Sequence, residues 1–150
     1  MAEVRRLAPA DADLVLSAEG IFDAPAQRDA TARFLAESGH HLIAALEAGR
    51  VLGFVTGIEM THPDKGTEMF LYELGVAEDA RRQGIGRALV AALRDLATER
   101  GCYGMWVLTE DDNDAALATY WGAGATDVGQ PVMLEWELSD SPRAEDRDAR

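Results

Sequence analysis

Apolar positions along the chain follow two periods, and the switches between them mark out the elements. Residues 3–9 (EVRRLAP) alternate weakly and predict a first strand, whereas 11–22 and 24–38 carry helical spacing and are separated near Asp23–Pro25. Gly39 ends this helical part. Residues 41–60 hold two β-type runs on either side of Ala48-Gly49-Arg50, which predicts a hairpin with a glycine where a positive φ is needed. A polar loop is expected at 61–67. The run EMFLYELGV (68–76) is apolar and aromatic enough for a central strand, and Gly75 offers a place for a bulge that would splay this strand from the next. From residue 84 the period becomes helical, with Ile85, Leu89, Leu93 and Leu96 on one stripe and Gly101 as terminator. A strand at 103–109, a short helix at 113–124 and a last strand at 131–138 (PVMLEWEL) complete the pattern. The expected fold is one mixed α/β domain over residues 1–138, with antiparallel hairpins and one βαβ crossover through the helix at 84–100. Residues 139–150 are charged, lack an apolar face and are expected to be disordered.

Composition narrows the partners. A chain of 150 residues with 47% hydrophobic content suits one core, and 14 basic against 27 acidic residues leave a formal charge of −13. That charge opposes nonspecific attraction to nucleic acid or anionic lipid and favours cationic partners, unless it serves solubility alone. The lone Cys102 cannot form an internal disulfide, and no apolar run reaches the roughly 18 residues of a membrane span. With no signal-peptide h-region, a soluble cytoplasmic protein is expected. His40, His41 and His62 lack metal-ligand spacing and read as surface or loop residues, so no metal is expected. Cys102 reads as a buried inert thiol, and Trp106, Trp121 and Trp136 as core or interface residues.

Against that acidic background the junction between the 68–76 strand and the following helix reads RRQGIGR. The first turn of a helix carries amide groups without internal partners and the positive end of the macrodipole. Gly84 and Gly86 remove side chains that would hold a phosphate away, and Arg81, Arg82 and Arg87 add charged donors. A phosphate or pyrophosphate site follows; the competing reading is a tight glycine turn with solvated arginines. The P-loop pattern fails here because no Lys-Ser or Lys-Thr follows the glycines, and the dinucleotide fingerprint finds Leu89 in place of its third glycine.

Arg81-Arg82-Gln83-Gly84-Ile85-Gly86, placed after FLYELGV, resembles the acetyl-coenzyme A motif of the GNAT N-acetyltransferases, Q/R-x-x-G-x-G/A. Asn113 to Tyr120 (NDAALATY) is similar to a second pattern of that family, N-x-x-A-x-x-x-Y, on the helix after the next strand. The resemblance extends over about residues 3 to 138. It implies a mostly antiparallel central sheet flanked by helices, with splayed strands forming an acetyl-CoA slot. It further implies that Leu74, Gly75 and Val76 hold the pantetheine arm and polarise the carbonyl, that Arg81, Arg82, Gln83, Gly84, Ile85, Gly86 and Arg87 hold the pyrophosphate, and that Asn113 touches the cofactor arm. An N-cap is the alternative for Asn113. By the same match Tyr120 would protonate the departing thiolate, with a core aromatic as its competitor.

Acetyl transfer to an amine needs the amine neutral, which asks for a base. Glu73 points, by strand alternation, to the face opposite Leu74 and is the candidate; a structural ion pair is its alternative. Together FLYELGV, RRQGIG and PVMLEWEL look most like the aminoglycoside 3-N-acetyltransferases of this family, which implies an antibiotic-resistance enzyme working by direct attack in a ternary complex, and a homodimer. Glu73 and Glu110 occupy acidic places of that subgroup, and Asp111 and Asp112 extend a negative edge suited to a polycationic substrate. Two other readings stand beside this one: transfer to another amine such as a polyamine or peptide N-terminus, and a non-catalytic acyl-CoA sensor.

Overall fold

A computed structural model describes residues 2–139, and within them the alternating runs pair in chain order. The strands are β1 (Glu3–Arg6), β2 (His40–Glu47), β3 (Arg50–His62), β4 (Gly66–Val76) and β5 (Met105–Val107), forming one sheet in the order β1-β2-β3-β4-β5. The first four pair antiparallel, and β5 joins β4 in parallel. Helices α1 (Ala12–Ser17) and α2 (Arg28–Ala36) lie between β1 and β2, α3 (Ile85–Glu99) makes the parallel crossover from β4 to β5, and α4 (Asp114–Gly122) follows β5. The expected mixed, mostly antiparallel sheet with flanking helices is therefore the observed fold.

Packing explains why the layers sit where they do. Leu89 and Leu93 are fully buried, and a side chain at Gly57 would come within 2.6 Å of Leu93 Cδ1. The glycine lets α3 press onto the sheet. On the opposite face Phe22, from the connection after α1, tilts against Phe54 of β3 with ring centroids 4.3 Å apart. The turn between β2 and β3 is the expected two-residue link, Ala48 and Gly49 both having positive φ (49° and 77°), as a type I′ turn demands.

Several sequence expectations need correction. The bulge in β4 is at Tyr72, where pairing slips between Thr56–Glu73 and Gly57–Leu71, and not at Gly75. Gly75 is required for a different reason: a Cβ there would stand 2.4 Å from the carbonyl oxygen of Ile21 and 2.6 Å from Phe54 Cε1. The polar loop at 61–67 shrinks to a turn, because Thr61–Thr67 and His62–Gly66 continue the β3–β4 ladder. Helices α1, α2 and α4 are shorter than their apolar periodicity, and β5 keeps only the residues opposite Met69–Leu71. Residues 131–138 form no strand; Val132, Leu134, Trp136 and Leu138 are 75–90% exposed because no neighbouring strand covers them. None of the three tryptophans is in the core, whereas His41 is wholly buried. Apart from Ser139, the expected disordered tail lies outside the described residues.

Candidate active site

The site begins where the sheet opens. β4 pairs with β5 only from Met69 to Leu71, yet β4 runs on to Val76, so its last residues extend past the parallel ladder. A bulge strengthens local twist, and this one sits where the two strands part. Leu74, Gly75 and Val76 thus lie along the part of β4 that β5 does not pair. Gly86 joins the pieces around it: a Cβ built there would be 3.5 Å from Thr119 Cγ2 of α4 and 3.7 and 3.8 Å from Val76 and Leu74 of β4. The strand end, the start of α3 and the helix carrying Tyr120 therefore converge.

The α3 N-terminus suits an anion. Gly84 is its N-cap at φ 79°, no side chain caps the first turn, and the first helical bond runs from Ala88 N–H to the Gly84 carbonyl at 3.0 Å. The amides of Ile85, Gly86 and Arg87 are the ones a helix cannot satisfy internally. Arg82 also adopts a positive φ, 63°, so left-handed residues at 82 and 84 curl the loop before the helix into the kind of concavity that binds phosphate. A side chain added at Gly84 would meet nothing within 4 Å, which leaves the approach to these amides open. These features fit a pyrophosphate.

The other predicted cofactor residues divide. Arg81 turns back, its Nε donating to the Val76 carbonyl at 3.3 Å, and so ties the loop to the strand end. Arg87 lies beside Gly122, where an added Cβ would be 3.5 Å from Nε, and braces α3 against α4. Arg82 and Gln83 remain exposed at the turn. Asn113 is the N-cap of α4, its Oδ1 accepting from Ala116 N–H at 3.1 Å, so the capping alternative is the observed one. Tyr120 is half-buried against the core, and burial raises its pKa. The phenol thus stays protonated, the form a proton donor needs.

On the face opposite α3 a cavity of about 760 Å³ opens between the α1–α2 connection, α2, the middle of the sheet and residues 133–135. Four carboxylates line it: Asp23, Glu73, Glu110 and Glu135. The remaining wall is largely apolar and aromatic, including Phe22, Phe34, Tyr72 and Met133. Such a wall with a few acidic groups suits a cationic organic molecule. The Glu73 amide donates to Thr56 Oγ1 at 3.1 Å, which fixes the strand at the bulge. Glu73 and Glu110 thus meet in one cavity. Asp111 and Asp112, exposed in the turn before α4, do not line it. Sequence reasoning missed Asp23, Tyr72 and Glu135; the break at Asp23–Pro25 marked the first only as an interruption between helices.

A separate cluster around the buried His41 closes the far end of β2 and β3. His41 Nε2 lies 2.7 Å from Glu59 Oε2, and Arg100, just past α3, pairs with the same carboxylate at 3.0 Å. Burial lowers the His41 pKa despite its carboxylate partner, whereas in Glu59 burial is outweighed by the hydrogen bonds from Arg100 and His41, which lower its pKa. Burial raises the Cys102 pKa, in keeping with an inert thiol.

Comparison with known proteins places this architecture. The description "Acetyltransferase (GNAT) family" matches residues 9–123. N-acetyltransferase 8 of Rattus norvegicus is 27% identical over 111 residues, covering 72% of this chain and 50% of that protein. Aminoglycoside N(6′)-acetyltransferase type 1 of Klebsiella aerogenes is 36% identical over 92 residues, 59% of this chain and 60% of that protein. The chain therefore spans 50–60% of the length of these relatives. Among solved structures, an aminoglycoside acetyltransferase from an uncultured soil metagenomic sample, in complex with sisomicin, superposes with a TM-score of 0.80 at 22% identity, covering 92% of this chain and 97% of that one. Aminoglycoside N-acetyltransferase AAC(6′)-Iy in complex with CoA gives a TM-score of 0.77 at 16% identity, covering 92% and 96%. The family match takes in every helix from α1 to α4 and the opened strand between them, and by it this chain belongs to the acetyltransferase (GNAT) family.

Proposed function

We propose that the chain transfers the acetyl group of acetyl-CoA to an amine of a polycationic amino sugar of the aminoglycoside class, by direct attack with both substrates bound. The observation that carries this reading is the set of four carboxylates lining one cavity, Asp23, Glu73, Glu110 and Glu135, within a protein of net charge −13. A molecule with several ammonium groups is attracted by that field and held by that rim.

The amides at the start of α3 and the bent loop before it hold the pyrophosphate, and the Leu74–Val76 strand end holds the arm. Bound there, acetyl-CoA supplies an activated acyl group as a thioester. Glu73, on the cavity face of the bulge, takes the proton from the incoming ammonium, and Tyr120 holds the proton that a departing thiolate requires.

Sequence likeness of FLYELGV, RRQGIG and PVMLEWEL favours the 3-N amine, a resistance role and a dimer, whereas the Klebsiella aerogenes relative favours the 6′ amine as a second reading. The test is acetyl-CoA turnover with a panel of aminoglycosides, polyamines, peptides and monoamines, followed by NMR assignment of the acetylated nitrogen. Preference for aminoglycosides supports the reading. Turnover confined to peptides or monoamines overturns the substrate class, and CoA binding without any turnover points to the sensor.

A further inference from the structure

The bulge that turns Glu73 into the cavity is held from the neighbouring strand by a side chain. Pairing slips between Thr56–Glu73 and Gly57–Leu71, so Tyr72 is the extra residue of β4. A bulge disrupts the ladder locally, and a buried amide left without an acceptor is costly. At this slip the Glu73 amide donates to Thr56 Oγ1 at 3.1 Å. Thr56 is 7% exposed and lines the same cavity as Glu73. Gly57, the next residue of β3, is fixed from the other face of the sheet: a Cβ there would stand 2.6 Å from Leu93 Cδ1 of α3 and 2.9 Å from Met69 Sδ. Helix α3 thus sets the height of β3 on one side, and the Thr56 hydroxyl catches β4 on the other.

We propose that Thr56 is a positioning residue for acetyl transfer: its hydroxyl holds the Glu73 backbone at the bulge so that the carboxylate meets the incoming ammonium. The proposal rests on the reading of Glu73 as the proton acceptor. Thr56 acts through Glu73 and takes no proton itself. A displaced carboxylate keeps its charge, and with it the attraction for a cation, but loses its alignment with the proton it must remove. A misplacement of about 1 Å can cost about 10²-fold in rate. The cavity wall needs only the shape of the threonine, whereas the bulge needs its oxygen, so Thr56→Val separates the two and Thr56→Ser keeps the oxygen.

The experiment is a double-mutant cycle on kcat and KM with acetyl-CoA and the best amine substrate of the panel, using wild type, Thr56→Val, Thr56→Ser, Glu73→Gln and Thr56→Val/Glu73→Gln. Thermal unfolding and CoA calorimetry check that each variant folds and binds cofactor; if Thr56→Val does not fold, the smaller Thr56→Ala takes its place. Thr56→Val should lower kcat about 10- to 100-fold with little change in KM, and part of the loss should return at high pH as free amine becomes abundant. Thr56→Ser should recover most of the rate. In the Glu73→Gln background Thr56→Val should change kcat by no more than about twofold, because the group it positions is already gone. Amide hydrogen exchange at Glu73, read by NMR without any substrate, should speed up in Thr56→Val and slow again in Thr56→Ser.

The two readings fail in different ways. Wild-type kcat in Thr56→Val, or losses that multiply in the double variant, overturns the positioning role while Glu73 remains the base. Unchanged exchange at Glu73 in Thr56→Val overturns it as well, by removing the hydrogen bond as its cause. Wild-type kcat in Glu73→Gln overturns the base assignment itself, and the positioning role with it.

Discussion

Tyr72 and Glu73 are consecutive in the chain and yet both line the same cavity. Successive residues of a regular strand face opposite sides of a sheet, so the bulge opposite Thr56 and Gly57 is what turns the pair to one face. An aromatic ring and a carboxylate are thereby placed side by side at the point where β4 leaves β5.

If Glu73 is the base, Glu73→Gln should lower kcat by about 10²–10⁴-fold, with partial recovery as pH rises and free amine becomes abundant. A pH–rate series with one aminoglycoside checks this. A higher KM with unchanged kcat would instead assign Glu73 to ammonium binding alone.

Tyr120→Phe should fold and bind CoA normally, because the ring packs against the core and the change removes only the hydroxyl. The single-turnover rate should drop about 10²–10⁴-fold, the usual contribution of a positioned acid. Single-turnover measurement is chosen because slow product release would mask the loss in kcat. A rate near wild type would remove Tyr120 from the chemistry.

The parts of this arrangement that were legible in the sequence are those that depend on local pattern. Alternation gave β2, β3 and β4, the helical stripe Ile85–Leu89–Leu93 gave α3, and the two glycines after two arginines marked the turn between β4 and α3. What stayed hidden depends on long-range neighbours. The bulge at Tyr72 arises from a slip in pairing with β3, and Tyr72 itself reads as one more strand residue. Asp23 and Glu135 come to line one cavity only because the α1–α2 connection and residues 133–135 meet over the sheet. His41 reads as a surface histidine until Glu59 and Arg100 close over it. Periodicity promised a strand at 131–138, but a strand also needs a partner edge, which no local pattern supplies.

Gly84 should be needed for its backbone and for the ligand. At φ 79° a side chain is strained but meets no protein atom. Gly84→Ala should therefore lose about 1–2 kcal/mol of stability, the penalty of a left-handed non-glycine residue. Gly84→Val adds bulk over the α3 amides and should weaken CoA binding about tenfold or more, the loss of one charge-assisted hydrogen bond. Calorimetry well below the melting temperature separates the two effects; unchanged CoA affinity in Gly84→Val would remove the phosphate assignment.

His41 and Glu59 should make the fold acid-sensitive. Burial lowers the His41 pKa, so below about pH 6.5 the unfolded chain takes up a proton that the folded chain resists. Stability should fall as pH drops through that range. Glu59, also lowered in the fold, adds a second loss at more acidic pH as it becomes protonated through its folded-state value. Urea unfolding at a series of pH values should show both steps, and His41→Gln should remove the upper one. Glu59→Gln should cost about 1.5–3 kcal/mol at neutral pH, the range for hydrogen bonds to a charged group.

The acidic rim should separate attraction from chemistry. Glu110 lines the cavity and Asp111 does not, although they are adjacent in the chain. Glu110→Gln should therefore raise KM for an aminoglycoside while leaving kcat close to wild type, and Asp111→Asn should change neither appreciably. An exposed ion pair contributes about 0.2–1 kcal/mol, so the rise in KM should be no more than about fivefold. It should be smaller for a monoamine, which offers one ammonium to the rim, and should shrink as salt screens the exposed charges. Equal KM changes for the drug and the monoamine, or an Asp111→Asn effect as large as that of Glu110→Gln, would show that the cavity carboxylates do not select polycations.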